Sequence, residues 1–256
     1  MISPQAIVDP SVKIGNNVKI YPFAYIEKDV VIGDNCIIYP YVSIMEGTTI
    51  GAYNYVHQNT VLGAFPQDFD FKGEKTELVI GDHNIIRENV VINRATHKGH
   101  KTIIGNYNVL MEGVHISHGT IVGNDCVLGY GTKVAGNCEI HDHAILSSNV
   151  IANPRVRIGK GAVVQSGCRF SKDIPPYIVA SHNPICYDGI NSTILSRLEI
   201  DEKVQKHIAN AYRLIFHGMT STFDATQQVK EQVQSSPQIQ DIIDFVNSSS
   251  LGIICK

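Results

Sequence analysis

The chain has 256 residues, 43% hydrophobic and 18% charged, with a formal net charge of -3. That length buries a sizeable core in one large domain, or in one domain plus a small appendage. The slightly acidic balance argues against nucleic acid as a partner, and no apolar run approaches the roughly 18 residues of a membrane span, so a cytoplasmic protein without a membrane span is expected. The six cysteines, Cys36, Cys126, Cys138, Cys168, Cys186 and Cys255, form no CxxC pair. Neither a structural zinc site nor a disulfide framework is indicated, and no metal or cofactor is expected.

Taken in order, the chain opens on a repeat. An aliphatic residue recurs every six positions from Ile14 through Ile20, Ile26, Ile32, Ile38, Ile44, Ile50 and Val56 to Leu62, then in the same phase at Ile80, Ile86, Ile92 and from Ile104 to Leu146. A glycine often follows it, as at Gly15, Gly33, Gly51, Gly81, Gly105 and Gly123, where a turn between short strands calls for a small or positive-φ residue. Two positions before each aliphatic residue stands a small or β-branched one, such as Val18, Ala24, Val30, Val114 and Thr132. Cys36, Cys126, Cys138 and Cys168 share that register and read as core fillers. A six-residue unit is too short for a helical repeat and too regular for a sandwich. It predicts short strands and turns wound into a parallel β-solenoid around a column of stacked side chains.

Two stretches, 64–78 and 93–102, interrupt the repeat without losing its phase. They predict loops projecting from one wall, where binding residues collect. After the connector SKDIPPYIVASHNPI the period becomes helical: Asp201 is expected to cap a helix that stops at Gly218, Ser221 to start a second and Pro237 a third. The chain therefore divides into a β-helix over 1–188 and a small helical domain over 189–256.

The stretch NVLMEGVHISHGT places His115 and His118 half a hexad apart, hence on neighbouring parts of one turn. Histidine titrates near neutrality and can take a proton from an alcohol; a lone histidine on a solenoid rung is more often a surface residue, and the density of the motif, with Met111, Glu112 and Gly113 beside the pair, favours chemistry. Arg155, Arg157, Lys160, Lys172, Lys203, Lys206 and Arg213 would suit an acidic partner or a solvated face.

Several motifs carry a family resemblance: PQDF at 66–69, IGDHNIIRENVVINRAT at 80–96, LMEGVHISH at 110–118, the KDIPPYIVA connector, GIN at 189–191 and NAYRLIF at 210–216. Together they resemble the acyl-carrier-protein-dependent UDP-N-acetylglucosamine O-acyltransferases that begin lipid A synthesis, over nearly the whole chain. The resemblance implies a left-handed parallel β-helix, a homotrimer with active sites between subunits, and transfer of a 3-hydroxyacyl chain from acyl carrier protein to the 3-hydroxyl of UDP-N-acetylglucosamine. It implies His118 as general base, Gly136 as the backbone oxyanion donor, and Asp68 and His115 as sugar-binding residues. Asn137 and Asn153 become substrate-binding positions where relatives carry histidine. Ser166 falls where acyl-chain length is set, and Asn191 and Arg197 at nucleotide-contacting positions. Gly119 stands where aspartate is common and Asp70 where lysine is, so any carboxylate orienting His118 must come from elsewhere. The rival readings are a zinc hydratase of carbonic-anhydrase type using His115, His118 and either His97 or His100, a related acyltransferase acting on another amino-sugar nucleotide, and a non-catalytic β-helix.

Overall fold

Each hexad forms a short strand and a turn, and three hexads close one coil of a parallel β-helix. The protein is described by a computed structural model that covers every residue except Met219 and Lys256. Ile7 pairs with Tyr25, and Tyr25 with Ser43, so the coil repeats every eighteen positions. Among the described residues the strands form a first sheet starting at Ile7–Val8, a second at Lys13–Ile14 and a third at Lys19–Ile20, with nine, eight and ten strands. The hexad aliphatics point inward as unbroken columns, such as Ile20, Ile38, Val56, Ile86, Leu110 and Leu128, all fully buried. Each contributes about 1.5–3 kcal/mol of burial.

The residues at the corners differ from expectation. The glycines after the aliphatic positions do not supply positive φ, apart from Gly63. They are small because coils stack there: a Cβ on Gly33 would lie 2.6 Å from the Gly51 carbonyl. The left-handed residue comes two positions later and is seldom glycine: Asn17, Asn35, Tyr53, His83 and Tyr107 have φ between 57° and 60°. Stacking helps to offset that strain, with ring centroids 4.7 Å apart for Tyr53–His83 and 4.8 Å for His83–Tyr107. Inside the core, Asn54, Asn84 and Asn108 form a ladder in which each Oδ1 accepts the next rung's N–H, from Asn84, Asn108 and Cys126. Their burial is thereby satisfied. The core cysteines are packing residues, and desolvation pushes the Cys126 and Cys138 thiols up to about 12.

Val61 pairs with Ser43, eighteen positions earlier, but with Val91, thirty later; Glu77 pairs with Lys101, twenty-four later. The excursions thus add twelve and six residues, whole hexads, and the phase survives. Strands Val61–Ala64, Glu77–Ile80, Val91–Asn93 and Lys101–Ile104 flank them. The free loops are 65–76 and 94–100, shorter than expected because the ladders extend into both ends.

The C-terminal region holds four helices: α1 (Ser192–Arg197), α2 (Glu202–His217), α3 (Thr222–Gln232) and α4 (Pro237–Asn247). Asp201, Ser221 and Ser236 cap the last three, while α1 is too short for a periodicity to reveal. Strand Cys186–Ile190 runs antiparallel to Ile178–Ser181, so a boundary between 188 and 189 would cut a strand. The helices share the core of the last coils: the Tyr177 hydroxyl donates to Asp241 Oδ2 at 2.7 Å and that of Tyr212 to the Pro176 carbonyl. Arg157, expected on a docking face, is instead a structural tie. Its Nε donates to buried Asp173 at 2.9 Å and its guanidinium lies 4.4 Å above the Phe245 ring.

Candidate active site

The corner where first-sheet strands hand over to the second gathers most of the candidate residues. Both excursions leave from it. His118 lies between His115–Ile116 and Ile121–Val122, Gly136 and Asn137 between Lys133–Val134 and Glu139–Ile140, and Asn153 between Ile151–Ala152 and Arg157–Ile158. His118 and Gly136 are eighteen residues apart and so stack at equivalent points of successive coils. A Cβ on Gly136 would lie 2.5 Å from His118 Nε2, so the imidazole occupies the space that only glycine leaves. The Gly136 N–H takes no backbone acceptor among the described residues.

Asp68 reaches this corner from the first excursion. Its Oδ2 lies 3.6 Å from His118 Nε2 and accepts a hydrogen bond from Thr96 Oγ1 at 2.9 Å, while its Oδ1 accepts the Asp70 N–H at 3.1 Å. The carboxylate facing His118 is therefore Asp68, fifty positions away in sequence. The Asp70 and Thr96 hydrogen bonds hold the Asp68 carboxyl below its usual range, aided by the nearby His118 and His97 charges. Burial lowers the pKa of His118; the Asp68 charge opposes that shift and His97 adds to it. His115 is lowered too, by burial and then by Lys133 and His118. Both histidines are thus disposed to be neutral at pH 7, the form that accepts a proton.

Gly119 has a φ of 65°, and the place of its absent side chain is filled by the Asn137 carboxamide from the coil above. The two departures at 119 and 137 are one spatial arrangement. Asn153 Oδ1 accepts from Arg169 Nε at 3.4 Å. Ser166 is exposed on a different corner, between third-sheet Val163–Val164 and first-sheet Arg169–Phe170. Asn191 is 5% exposed and its carboxamide caps α1, accepting from the Ile194 N–H and donating to the Gly161 carbonyl. Arg197, at the end of α1, is exposed and forms no ion pair with Glu199. Among the described residues no three histidine, cysteine or acidic side chains converge as a metal site, so the three-histidine arrangement of the hydratase reading does not assemble within the chain. Arg94 and Thr96 carry no sequence signal beyond the NRAT motif.

The model described as "Udp N-acetylglucosamine O-acyltransferase; Domain 2" matches residues 173–254, and that for six-repeat bacterial transferase hexapeptides matches 11–44, 29–64 and 101–136. The acyl-carrier-protein–UDP-N-acetylglucosamine O-acyltransferase of Halorhodospira halophila is 36% identical over 99% of this chain and 98% of its own. The chain belongs to this O-acyltransferase family. Among solved structures, the UDP-N-acetylglucosamine acyltransferase of Bacteroides fragilis is 48% identical with a TM-score of 0.98, covering 99% of this chain and 100% of its own. LpxA of Acinetobacter baumannii is 33% identical with a TM-score of 0.96, covering 99% of both. As an O-acyltransferase of this family, the chain has the parallel β-helix and short C-terminal helices that its hexads and caps specify. Among the described residues no helix is long and apolar enough to cross a membrane.

Proposed function

We propose that this chain transfers a 3-hydroxyacyl group from acyl carrier protein to the 3-hydroxyl of UDP-N-acetylglucosamine, the first step of lipid A biosynthesis. Family membership supports the reaction. The observation that carries the mechanism is the cluster of His118, Asp68 and Gly136 at one corner. Neutral His118 accepts the proton of the sugar 3-hydroxyl as its oxygen attacks the thioester carbonyl. The imidazolium so formed is stabilised by Asp68. Because 3.6 Å exceeds hydrogen-bond length, neither group is committed to the other, and Asp68 remains able to accept a sugar hydroxyl. His115 lies beside His118 on the same coil. The Gly136 N–H, fixed by the coil before charge develops, receives the oxyanion. Collapse breaks the carbon–sulfur bond, forms the ester and releases the carrier thiol with the proton held by His118.

Asn137 and Asn153 contact substrate at the same corner. Ser166 limits the acyl chain, and Asn191 and Arg197 serve the nucleotide, Arg197 by pairing with the diphosphate. A homotrimer with sites between subunits is part of the proposal. Ser166 lies on another corner and the cap of α1 rests on Gly161 at a third, and five clefts of the single chain, including one of 680 Å³ against α4, are lined by none of His115, His118, Asp68 or Gly136.

The test is acyl transfer from a panel of 3-hydroxyacyl carrier proteins to UDP-N-acetylglucosamine and its 3-amino analogue. His118→Ala should lower transfer by about two to four orders of magnitude. Activity on the amino analogue alone would change the acceptor, and no transfer to either would sink the reading. Light scattering of the purified protein should return the mass of three chains.

A further inference from the structure

The NRAT segment, Asn93 to Thr96, helps carry the family resemblance, yet only Thr96, through its hydrogen bond to Asp68, has a part in the site above. Arg94 is its unusual member. It is 7% exposed, its Nη1 donates to the Glu46 carbonyl at 2.9 Å, and its Nε has no partner. Among the described residues no carboxylate lies within ion-pair distance of it. A buried guanidinium without a counter-charge costs stability, and an apolar side chain would serve packing alone better.

What the guanidinium offers is a flat cationic face. Its central carbon lies 4.8 Å from the Phe65 ring centroid and 5.8 Å from that of Phe71. Those two residues bracket the turn that carries Asp68. The turn has little else to hold it: Phe65 is 67% exposed and Phe69 fully exposed. Asp68 makes its other bonds within the turn, to the N–H groups of Asp70 and Phe71. Ties from outside come from the same motif: Asn93 Nδ2 donates to the Phe65 carbonyl at 2.6 Å, and Thr96 Oγ1 to Asp68 itself.

We propose that Arg94 is a positioning residue, which fixes the Asp68 carboxylate beside His118 by clamping Phe65 and Phe71 to the coil at Glu46. It acts through the loop and touches neither substrate nor His118. The proposal rests on the reading of His118 as base and Asp68 as its companion, and it deepens that reading. Lysine cannot replace it, because an ammonium keeps the charge but has no planar face to lay against two adjacent rings, whose centroids are 5.7 Å apart.

The charged groups facing His118 are Asp68, His97 and, on its own turn, His115. Of these only Asp68 favours the protonated imidazole. Releasing the clamp therefore lowers the pH at which His118 titrates, and Arg94→Lys, which keeps the positive charge, isolates the effect of the clamp. The experiment is NMR titration of the histidine rings in the full-length protein, comparing wild type with Arg94→Lys, Arg94→Met and Asp68→Asn. All three variants should shift the His118 midpoint downward. In acyl-transfer assays Arg94→Met should lose about ten- to a hundredfold in kcat/KM, and the double variant with Asp68→Asn should be no worse than Asp68→Asn alone. Should Arg94→Met fail to fold, Phe71→Leu, which removes one ring of the clamp, takes its place. An unmoved or raised His118 midpoint in the Arg94 variants, or losses that multiply, would overturn the proposal. The titration needs no substrate, so it decides this point even if UDP-N-acetylglucosamine is not the acceptor.

Discussion

The imidazole of His118 occupies the volume that any side chain on Gly136 would need, one coil further along the helix. This relationship makes Gly136 irreplaceable for a steric reason that has nothing to do with its own conformation, since its φ is not in the left-handed region. Gly136→Ala should leave the thermal midpoint nearly unchanged, yet displace the imidazole and lower kcat by about a hundredfold or more. A variant with normal kcat would mean that the ring is free to move aside.

Restoring the acidic residue after the base should fail by itself. Gly119→Asp places a side chain at a φ of 65° and drives it into the Asn137 carboxamide. A loss of about 1–3 kcal/mol is expected. Adding Asn137→Gly should recover part of it, and urea unfolding of the two singles and the double measures that coupling. Strict additivity would show that the two positions are independent.

The pH dependence of stability follows from three histidines. Burial holds His57, His115 and His118 below the ordinary histidine value. Unfolding returns each to about 6.5, so between the folded value and about pH 6.5 the unfolded chain binds more protons. Their stabilisation is complete above about pH 6.5 and is lost as the pH falls through the folded values. Asp68 acts in the same sense at lower pH, its folded pKa being depressed. Urea midpoints should fall between about pH 7.5 and about pH 5.5, with a shallower decline in His115→Gln. A flat profile would contradict this.

Arg157 should behave as a core residue despite its charge. Removing it leaves Asp173, 1% exposed, without its cation and removes one of the ties of α4 to the last coil, leaving that of Tyr177 to Asp241. Arg157→Ala should cost about 3–5 kcal/mol, read by calorimetry. A loss of activity with no change in melting would return Arg157 to the docking face.

Much of the architecture is legible in the sequence because its cause is local. Each hexad reports the burial of its own aliphatic residue, and Asp201, Ser221 and Pro237 each announce a helix start within one turn. The meaning of the glycines is less accessible: Gly33 is small because of Gly51, a neighbour that exists only once the coil has closed.

By itself, the sequence determined the β-helix, the two excursions, the helical end and the family, since periodicity, caps and contiguous motifs are properties of neighbouring residues. Only the tertiary structure decided which residues meet. Asp68, Thr96, His118 and Gly136 come together because residues eighteen positions apart stack, and because excursions of twelve and six residues return in phase to one corner. Ser166 falls on another corner by the same arithmetic. The register of a coil sets those distances, and no stretch of sequence contains it until every coil below has been wound.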